Sequence, residues 1–173
     1  TSSSNNKVQR VVIRGMGAPD NMIDMEGTNN LLEDAGVFGV ARYSVAAAQT
    51  GSGNTMRRVW ARWEDNQFTT SNPTATFLLG YGQDNITFEN VIGNWNGTGR
   101  ITSPEALFFT FRTQNSKWLG SIGYVKAGDL FQPYSIGQGF VDGGSHAQMG
   151  EFHPMEDFLW KHNVVYIDPA NAD

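Results

Sequence analysis

Hydrophobic and polar residues alternate with a period of two along much of the chain. In the segment 55–63, Val59, Ala61 and Trp63 share one face, while arginine and tryptophan side chains occupy the other. Because successive side chains of a β-strand project to opposite faces, this alternation predicts a strand with one buried face. The same reasoning predicts strands in seven further segments: 7–14, 37–48, 74–81, 85–92, 105–113, 117–126 and 162–167.

Turn-forming residues and weak helical patterns complete the predicted architecture. The tips at 82–85 and 113–116 are short enough for antiparallel hairpins. Helical patterns are limited to 28–36 and 154–162, and no internal repeat is apparent. About eight strands in one domain predict an all-β fold. We expect an antiparallel β-barrel, or alternatively a two-sheet β-sandwich or jelly roll, with one or two short helices.

Length and composition fit a single domain. The 173 residues predict a flexible polar arm at 1–7 and one β-barrel domain at 8–173. A charged fraction of only 17% together with 20 glycines suits a β-rich chain with many turns. The strand at 74–81 is apolar on both faces, so its second face must meet another layer of the same chain, a ligand cavity or another subunit.

Charge and cysteine content exclude several kinds of partner and site. The net charge of −5 repels a phosphate backbone, so nucleic-acid binding is not expected. The absence of cysteine removes disulfides, thiolate catalysis and cysteine-ligated zinc. No apolar run approaches the ~20 residues of a membrane helix. We therefore expect a soluble protein without a membrane span, and secretion is compatible with its sequence.

All three histidines lie between residues 143 and 162, among several carboxylates. Imidazole titrates near neutral pH, so this cluster suggests general acid–base catalysis without a cofactor. The candidate catalytic residues are His146, His153, His162, Glu151 and Asp157. A divalent metal held by His146, Glu151 and His153 is an alternative, although a straight strand would send His146 to the opposite face. Imidazoles at loop ends would also explain the cluster.

Arginines and aromatic residues on the strands are candidate ligand contacts. Arg58 and Arg62 flank Trp60 on one strand face, where a guanidinium beside aromatic rings could hold a carboxylate or an electron-rich ring. The alternative is a solvent-facing sheet surface on which arginine stems cover apolar area. The candidate substrate-binding residues are Arg58, Arg62, Arg112, Trp60, Tyr81, Phe109, Phe111 and Tyr124.

Two classes of function are compatible with these features. The first is a cofactor-free lyase, isomerase or cyclase that holds a small apolar or aromatic substrate in the barrel cavity, and the histidine cluster favours it. The second is a non-catalytic β-protein that binds a small ligand or forms an assembly, as a shell or filament subunit. The expected partners are a small-molecule ligand or substrate and, in an assembly, further copies of the chain.

Overall fold

The computed structural model shows an all-β chain in which the strands pair in parallel. It describes residues 3–15, 20–48, 50–64, 74–95, 105–111, 113–125, 131–137 and 157–167. Every pair of neighbouring strands in these segments is parallel. The all-β class is therefore confirmed, but the antiparallel β-barrel and its sandwich or jelly-roll alternative are wrong.

The strands form a ten-stranded, a five-stranded and a two-stranded sheet. In chain order they are β1 (Lys7–Gln9), β2 (Val12–Gly15), β3 (Asn21–Asp24), β4 (Gly27–Thr28), β5 (Leu31–Gly39), β6 (Tyr43–Ala47), β7 (Gly51–Ser52), β8 (Thr55–Trp63), β9 (Thr74–Gly80), β10 (Thr87–Glu89), β11 (Ile92–Trp95), β12 (Glu105–Phe111), β13 (Lys117–Leu119), β14 (Ile122–Val125), β15 (Phe131–Gly137), β16 (Leu159–Lys161) and β17 (Val164–Ile167).

The described strands follow one another in six stacked rungs. Rung 1 contains β1–β3, rung 2 β4–β6, rung 3 β7–β9, rung 4 β10–β12, rung 5 β13–β15 and rung 6 β16 and β17. The register aligns one residue of each rung with its equivalents, for example Lys7, Leu31, Thr55, Thr87, Lys117 and Leu159. The chain is thus a parallel β-solenoid, a repeat architecture in which each rung packs on its neighbours. The expectation that the chain has no internal repeat was therefore wrong.

Rung length is constant at first and then varies. Equivalent residues are 24 apart in the first three rungs, and then 32, 30 and 42 apart. Much of the added length lies between the ten-stranded and the five-stranded sheet. There β5 ends at Gly39 and β6 begins at Tyr43, whereas β8 ends at Trp63 and β9 begins only at Thr74. A search for a fixed period therefore fails beyond rung 3.

The ten-stranded sheet has two arms. The charged arm contains β1, β10, β13 and β16 with residues 31–33 of β5 and 55–57 of β8. The apolar arm contains β2, β11, β14 and β17 with residues 36–39 of β5 and 60–63 of β8. Since β5 and β8 run through both arms, they join them into one sheet.

Two columns of residues with positive φ form corners of the solenoid. The first corner consists of Asn5, Asn29, Gly53, Asn85, Asn115 and Asp157. The second corner, between the two arms, consists of Arg10, Asp34, Arg58, Asn90, Gly120 and His162. Gly has no steric penalty in this left-handed region, and Asn, Asp and His enter it more readily than most residues.

These corners replace two features that the sequence analysis predicted. The tips at 82–85 and 113–116 lead into first-corner residues, and the strands on either side of each tip belong to different sheets. The hairpin predictions were wrong because the same residues suit a hairpin turn and a solenoid corner. The helical predictions were wrong as well. Residues 28–36 lie mainly in β4 and β5, and the described part of 154–162, residues 157–162, forms corners and β16.

A ladder of asparagine side chains ties the first three rungs together beside the first corner. The backbone N–H of Asn6 donates to Asn30 Oδ1 at 2.9 Å, and that of Asn30 donates to Asn54 Oδ1 at 2.8 Å. Asn54 Nδ2 donates to the carbonyl oxygens of Met25 and Gly27 at 3.1 and 3.0 Å. Buried backbone groups need such partners, so the ladder stabilises the stacking of rungs.

Packed side chains fill the interior of the described rungs. Trp63 stacks on Trp95 with ring centroids 4.2 Å apart, and Phe88 stacks on Trp118 at 4.1 Å. All four rings are buried. The solenoid axis is therefore lined by a column of aromatic and aliphatic side chains, where the sequence analysis expected the substrate cavity of a barrel.

In the five-stranded sheet, β6 and β9 are buried on both faces. Every residue of β9 is buried: Phe77 and Leu79 pack into the main core, and Leu78 packs into a second apolar cluster that includes Phe109. The expectation that both apolar faces of the strand at 74–81 are covered is confirmed for β9. Among the described residues, no helix is long and apolar enough to cross a bilayer.

Candidate ligand-binding face

The outer face of the apolar arm carries an exposed apolar side chain at the same position of five rungs. These residues are Val12, Trp60, Ile92, Ile122 and Val164, and their exposed fractions range from 43% to 70%. Strand alternation explains their orientation, because the next position of each rung points into the core. Alignment in register then places the five side chains in one column.

Phe38 fills the gap that this column has in rung 2. The equivalent position there is Gly36, and a Cβ atom added to it would lie only 2.9 Å from Cε2 of the Phe38 ring. Glycine thus leaves room for this ring, which also meets Trp60 edge-on with centroids 5.1 Å apart. We call the resulting column the outer strip: Val12, Phe38, Trp60, Ile92, Ile122 and Val164.

A second column, two residues further along each strand, runs beside the outer strip. Apart from Phe38, it holds side chains that can form hydrogen bonds, and we call these the polar row: Arg14, Arg62, Asn94, Tyr124 and Tyr166. The guanidinium groups of Arg14 and Arg62 lie 5.5 and 5.4 Å from the centroid of the Phe38 ring, within cation–π range. At the other end, Tyr124 and Tyr166 stack with centroids 5.5 Å apart.

Arg62 is held in place but keeps one donor without a partner. Its Nη2 forms an ion pair with Glu64 at the end of β8. Within the described part of the chain, its Nε atom is buried and has no hydrogen-bond partner. A buried donor without an acceptor is costly.

Acidic side chains neutralise basic residues of the charged arm and of the second corner. Glu33 lies 3.0 Å from Lys7 Nζ and 2.7 Å from Arg58 Nη2, and Asp34 accepts a hydrogen bond from Arg58 Nε at 2.6 Å. The hydrogen bond from Lys7, followed by that from Arg58, lowers the pKa of Glu33 to about 2. Arg58 thus already has two acidic partners, which makes it a weaker candidate for ligand binding than Arg62.

Asp24, at the end of β3, is the described carboxylate whose pKa is raised. Burial, and next the nearby charge of Glu26, raise its pKa to about 6, although Asn21 Nδ2 donates a hydrogen bond to it at 2.8 Å. The ionised form is therefore disfavoured in the fold. The stability that the fold gains from the protonated Asp24 carboxyl is fully present below the ordinary pKa near 3.8. It is lost as the pH rises through 6.

Replacing Asp24 with asparagine should change how stability depends on pH. The variant keeps the shape of the side chain without the buried charge, so its free energy of unfolding should exceed that of the wild type at pH 7.5, and the difference should shrink toward pH 4. Urea unfolding at several pH values measures this. The Glu26→Gln variant should show a smaller change of the same sign. A pH-independent difference between Asp24→Asn and wild type would contradict the raised pKa.

The predicted catalytic residues do not come together in the described structure. Asp157 is in the first corner and His162 in the second, and both are exposed. Their positions are those of corner residues in the other rungs. His146, Glu151 and His153 lie outside the described residues, so their roles in catalysis or metal binding stay predictions. Among the residues that are described, no group of three or more His, Cys, Asp or Glu side chains is close enough to hold a metal ion.

The predicted substrate-binding residues fall into several groups. Trp60, Arg62 and Tyr124 lie together on the outer face of the apolar arm, whereas Arg58 lies at the second corner. Phe109 is buried in the second apolar cluster. Two positions give no side-chain information: Phe111 lies in β12, and Arg112 falls outside the described residues.

Tyr81 belongs to a different place from the outer face. It follows β9 with φ of 57°, and its hydroxyl lies 3.4 Å from both Arg42 Nη2 and the hydroxyl of Tyr43. Burial raises the pKa of Tyr43 well above its usual range. The hydroxyls of Tyr43 and Tyr81 and the Arg42 guanidinium thus meet beside the second apolar cluster of the five-stranded sheet, apart from the outer strip.

Neither protein-family models nor curated protein sequences provide a relative of the chain. No protein-family model matches the chain, and no curated protein matches its sequence significantly. The case for a site therefore depends on the geometry of the solenoid. Sequence reasoning missed Val12, Phe38, Ile92, Ile122, Val164 and Tyr166 as members of one surface. Alternation placed them on strands, but only parallel register brings residues so far apart in sequence into one column.

Proposed function

We propose that the protein is a recognition module that binds a linear polysaccharide along the outer face of the apolar arm. The observation that carries this proposal is the outer strip, an apolar column that continues through all six rungs beside the polar row. A contiguous exposed apolar surface of this kind marks an interaction site more often than a surface with singly scattered apolar residues does. A non-catalytic binding protein is the second class of function that the sequence suggested. The proposal keeps this class and replaces the expected barrel with the solenoid.

The dimensions of the face favour a narrow, elongated ligand. Neighbouring strands are about 4.8 Å apart, so six rungs give a length on the order of 24 Å, and four strand residues give a width of about 13 Å. The face thus covers roughly 300 Å², whereas a stable protein–protein interface needs about 800 Å² on each partner. A single extended chain suits this shape better than a globular partner.

The chemistry of the two columns favours sugars. A sugar ring has apolar C–H groups on its faces and hydroxyl groups at its edges, so it can contact an apolar column and a hydrogen-bonding column together. Trp60 would make the largest apolar contact with a sugar ring, and the side-chain amide of Asn94 would form hydrogen bonds with sugar hydroxyls. In rungs 1 and 3, Arg14 and Arg62 would pair with the carboxylates of acidic sugars, because guanidinium groups bind carboxylates in a bidentate way.

Replacing Trp60 with alanine should weaken polysaccharide binding about tenfold or more. Exposed tryptophans at the centre of a binding site commonly contribute this much. Affinity electrophoresis in gels that contain carboxymethyl cellulose or hydroxyethyl cellulose measures the effect as lost retardation. Arg14→Gln should reduce retardation by the carboxylated polymer more than by the neutral one, since it removes a positive charge.

Leu159→Ala is the matched control, because it also removes an exposed apolar side chain but lies on the charged arm. It should be retarded like the wild type. The proposal fails if the wild-type protein is retarded by neither polymer, or if Trp60→Ala and Leu159→Ala lose retardation equally. Binding of a protein or peptide to the face, with no response to polysaccharide, would likewise replace this proposal with another.

A further inference from the structure

Phe38 lies between two arginines on the outer face of the apolar arm. Its register partners are Arg14 in rung 1 and Arg62 in rung 3. The central carbon atoms of the two guanidinium groups lie 5.5 and 5.4 Å from the centroid of the Phe38 ring. Both distances are within cation–π range, so one ring holds two long and otherwise flexible side chains.

Gly36 and Trp60 determine where the Phe38 ring lies. A Cβ atom added to Gly36 would lie 2.9 Å from Cε2 and 3.0 Å from Cζ of this ring, so a larger residue there would displace it. Trp60 meets the ring edge-on, with centroids 5.1 Å apart. The position of the ring, and with it that of the two guanidinium groups, is therefore set by its neighbours.

The spacing of the two arginines matches a repeat of two sugars. Neighbouring strands are about 4.8 Å apart, so equivalent positions in rungs 1 and 3 are roughly 10 Å apart. One rung thus has about the length of one sugar unit in an extended polysaccharide. Carboxylates at Arg14 and Arg62 would belong to alternate sugars, and the sugar between them would lie on the Phe38 ring. A carboxylate at that middle position would lose water without gaining a partner.

The positive charges of the two arginines are available to different degrees. Arg14 is exposed, and no ion pair in the described part of the chain includes it. Arg62, in contrast, forms an ion pair with Glu64. The Glu64 carboxylate therefore competes with an acidic ligand in rung 3. In rung 4, the equivalent position holds the uncharged Asn94.

We infer that the polysaccharide is acidic and has a carboxylate on every second sugar. Arg14 and Arg62 bind two successive carboxylates, and Phe38 contacts the uncharged sugar between them. This inference rests on the proposed function, because it assigns a class of ligand to the same face. Ion pairs and apolar contacts are sufficient for such binding, and no covalent step is involved.

Calorimetric titration with three polymers tests the inference. Hyaluronan alternates glucuronate with uncharged N-acetylglucosamine; a reduced form has its carboxylates converted to alcohols; polygalacturonate has a carboxylate on every sugar. The wild type should bind hyaluronan most tightly. Arg14→Gln should weaken hyaluronan binding about fivefold, the upper end for an exposed ion pair, and leave binding of the reduced polymer unchanged.

Three further variants separate the inference from a general effect of charge or folding. Glu64→Gln removes the competing carboxylate, so it should strengthen hyaluronan binding. Arg57→Gln is the matched control for Arg14→Gln, because it removes the same charge from the charged arm, and it should bind like the wild type. Phe38→Leu keeps an apolar side chain but removes the ring between the arginines. It should reduce the preference for hyaluronan over the reduced polymer while circular dichroism shows an intact fold.

The outcomes distinguish this inference from the proposed function. Binding of hydroxyethyl cellulose without binding of hyaluronan would overturn the inference and leave the proposed function intact. The inference is also overturned if the reduced polymer binds as tightly as hyaluronan, if polygalacturonate binds more tightly, or if Arg14→Gln and Arg57→Gln lose affinity equally. A protein that binds none of these polymers would overturn the proposed function itself.

Discussion

Replacing Asn54 with leucine should lower the free energy of unfolding by about 2–5 kcal/mol. Leucine has a similar volume, but it leaves the backbone N–H of Asn30 and the carbonyl of Gly27 without the partner that Asn54 provides. Asn54 is fully buried. Each buried backbone group that loses its hydrogen bond costs about 1–3 kcal/mol. Urea unfolding followed by circular dichroism measures the change through the midpoint at constant slope.

Asn6→Leu is the matched control for this prediction. Asn6 occupies the equivalent position in rung 1 but is exposed, so water replaces the bonds that its side chain loses. Its effect should stay below about 1 kcal/mol. Equal losses in the two variants would show that burial does not determine how much a ladder asparagine stabilises the fold. A loss below about 1 kcal/mol for Asn54→Leu would contradict the prediction itself.

Replacing Trp118 with alanine should lower the free energy of unfolding by about 3–5 kcal/mol, the usual cost of removing a buried large aromatic ring. The indole is fully buried, stacks on Phe88 at 4.1 Å and donates from Nε1 to Thr110 Oγ1 at 2.8 Å. Its removal leaves a cavity between rungs 4 and 5. It also leaves the Thr110 hydroxyl without this donor.

The matched control is Trp60→Ala, which removes the same side chain from the outer face. Trp60 is 43% exposed and meets Phe38 at its edge, so we expect a loss of about 1 kcal/mol or less. The two variants should therefore separate stability from binding. Trp118→Ala should impair folding, and Trp60→Ala should impair ligand binding. Similar unfolding curves for both variants would contradict the core that we describe.

The sequence predicted most strand positions correctly. Alternation gave the segment 55–63, which β8 matches in full, and it correctly placed Val59, Ala61 and Trp63 on the buried face. These successes depend on local geometry, because the side chains of any strand alternate whatever its partner is. The direction of pairing is a different matter. It depends on which distant segments meet, and alternation contains no information about that.

Signals of the solenoid were nevertheless present in the sequence. Asparagines recur at Asn6, Asn30 and Asn54, which are 24 residues apart and form the ladder. A second set, at Asn85 and Asn115, marks the first corner of rungs 4 and 5. The pattern becomes hard to follow after Asn54 because the spacing changes to 32 and 30, and because the ladder position of rung 4 holds isoleucine instead of asparagine.

The candidate site was predicted only in part, for a physical reason. Trp60, Arg62 and Tyr124 attracted attention as aromatic or cationic side chains, and the structure places them on one face. The aliphatic members of the outer strip gave no such signal, since a single valine or isoleucine on a strand usually belongs to a core. Their significance arises from stacking. Four ordinary aliphatic residues become part of one surface when the register aligns them.

The uneven length of the rungs has a consequence for how such a protein can vary. The corners between the two arms have the same size in every rung, while the connection from the apolar arm to the five-stranded sheet grows from three residues between β5 and β6 to ten between β8 and β9. Insertions accepted there leave strand register intact, because each rung contacts only its neighbours. Descendants of this chain could therefore diversify the border of the apolar arm through segment length alone, while the stacked framework stays constant.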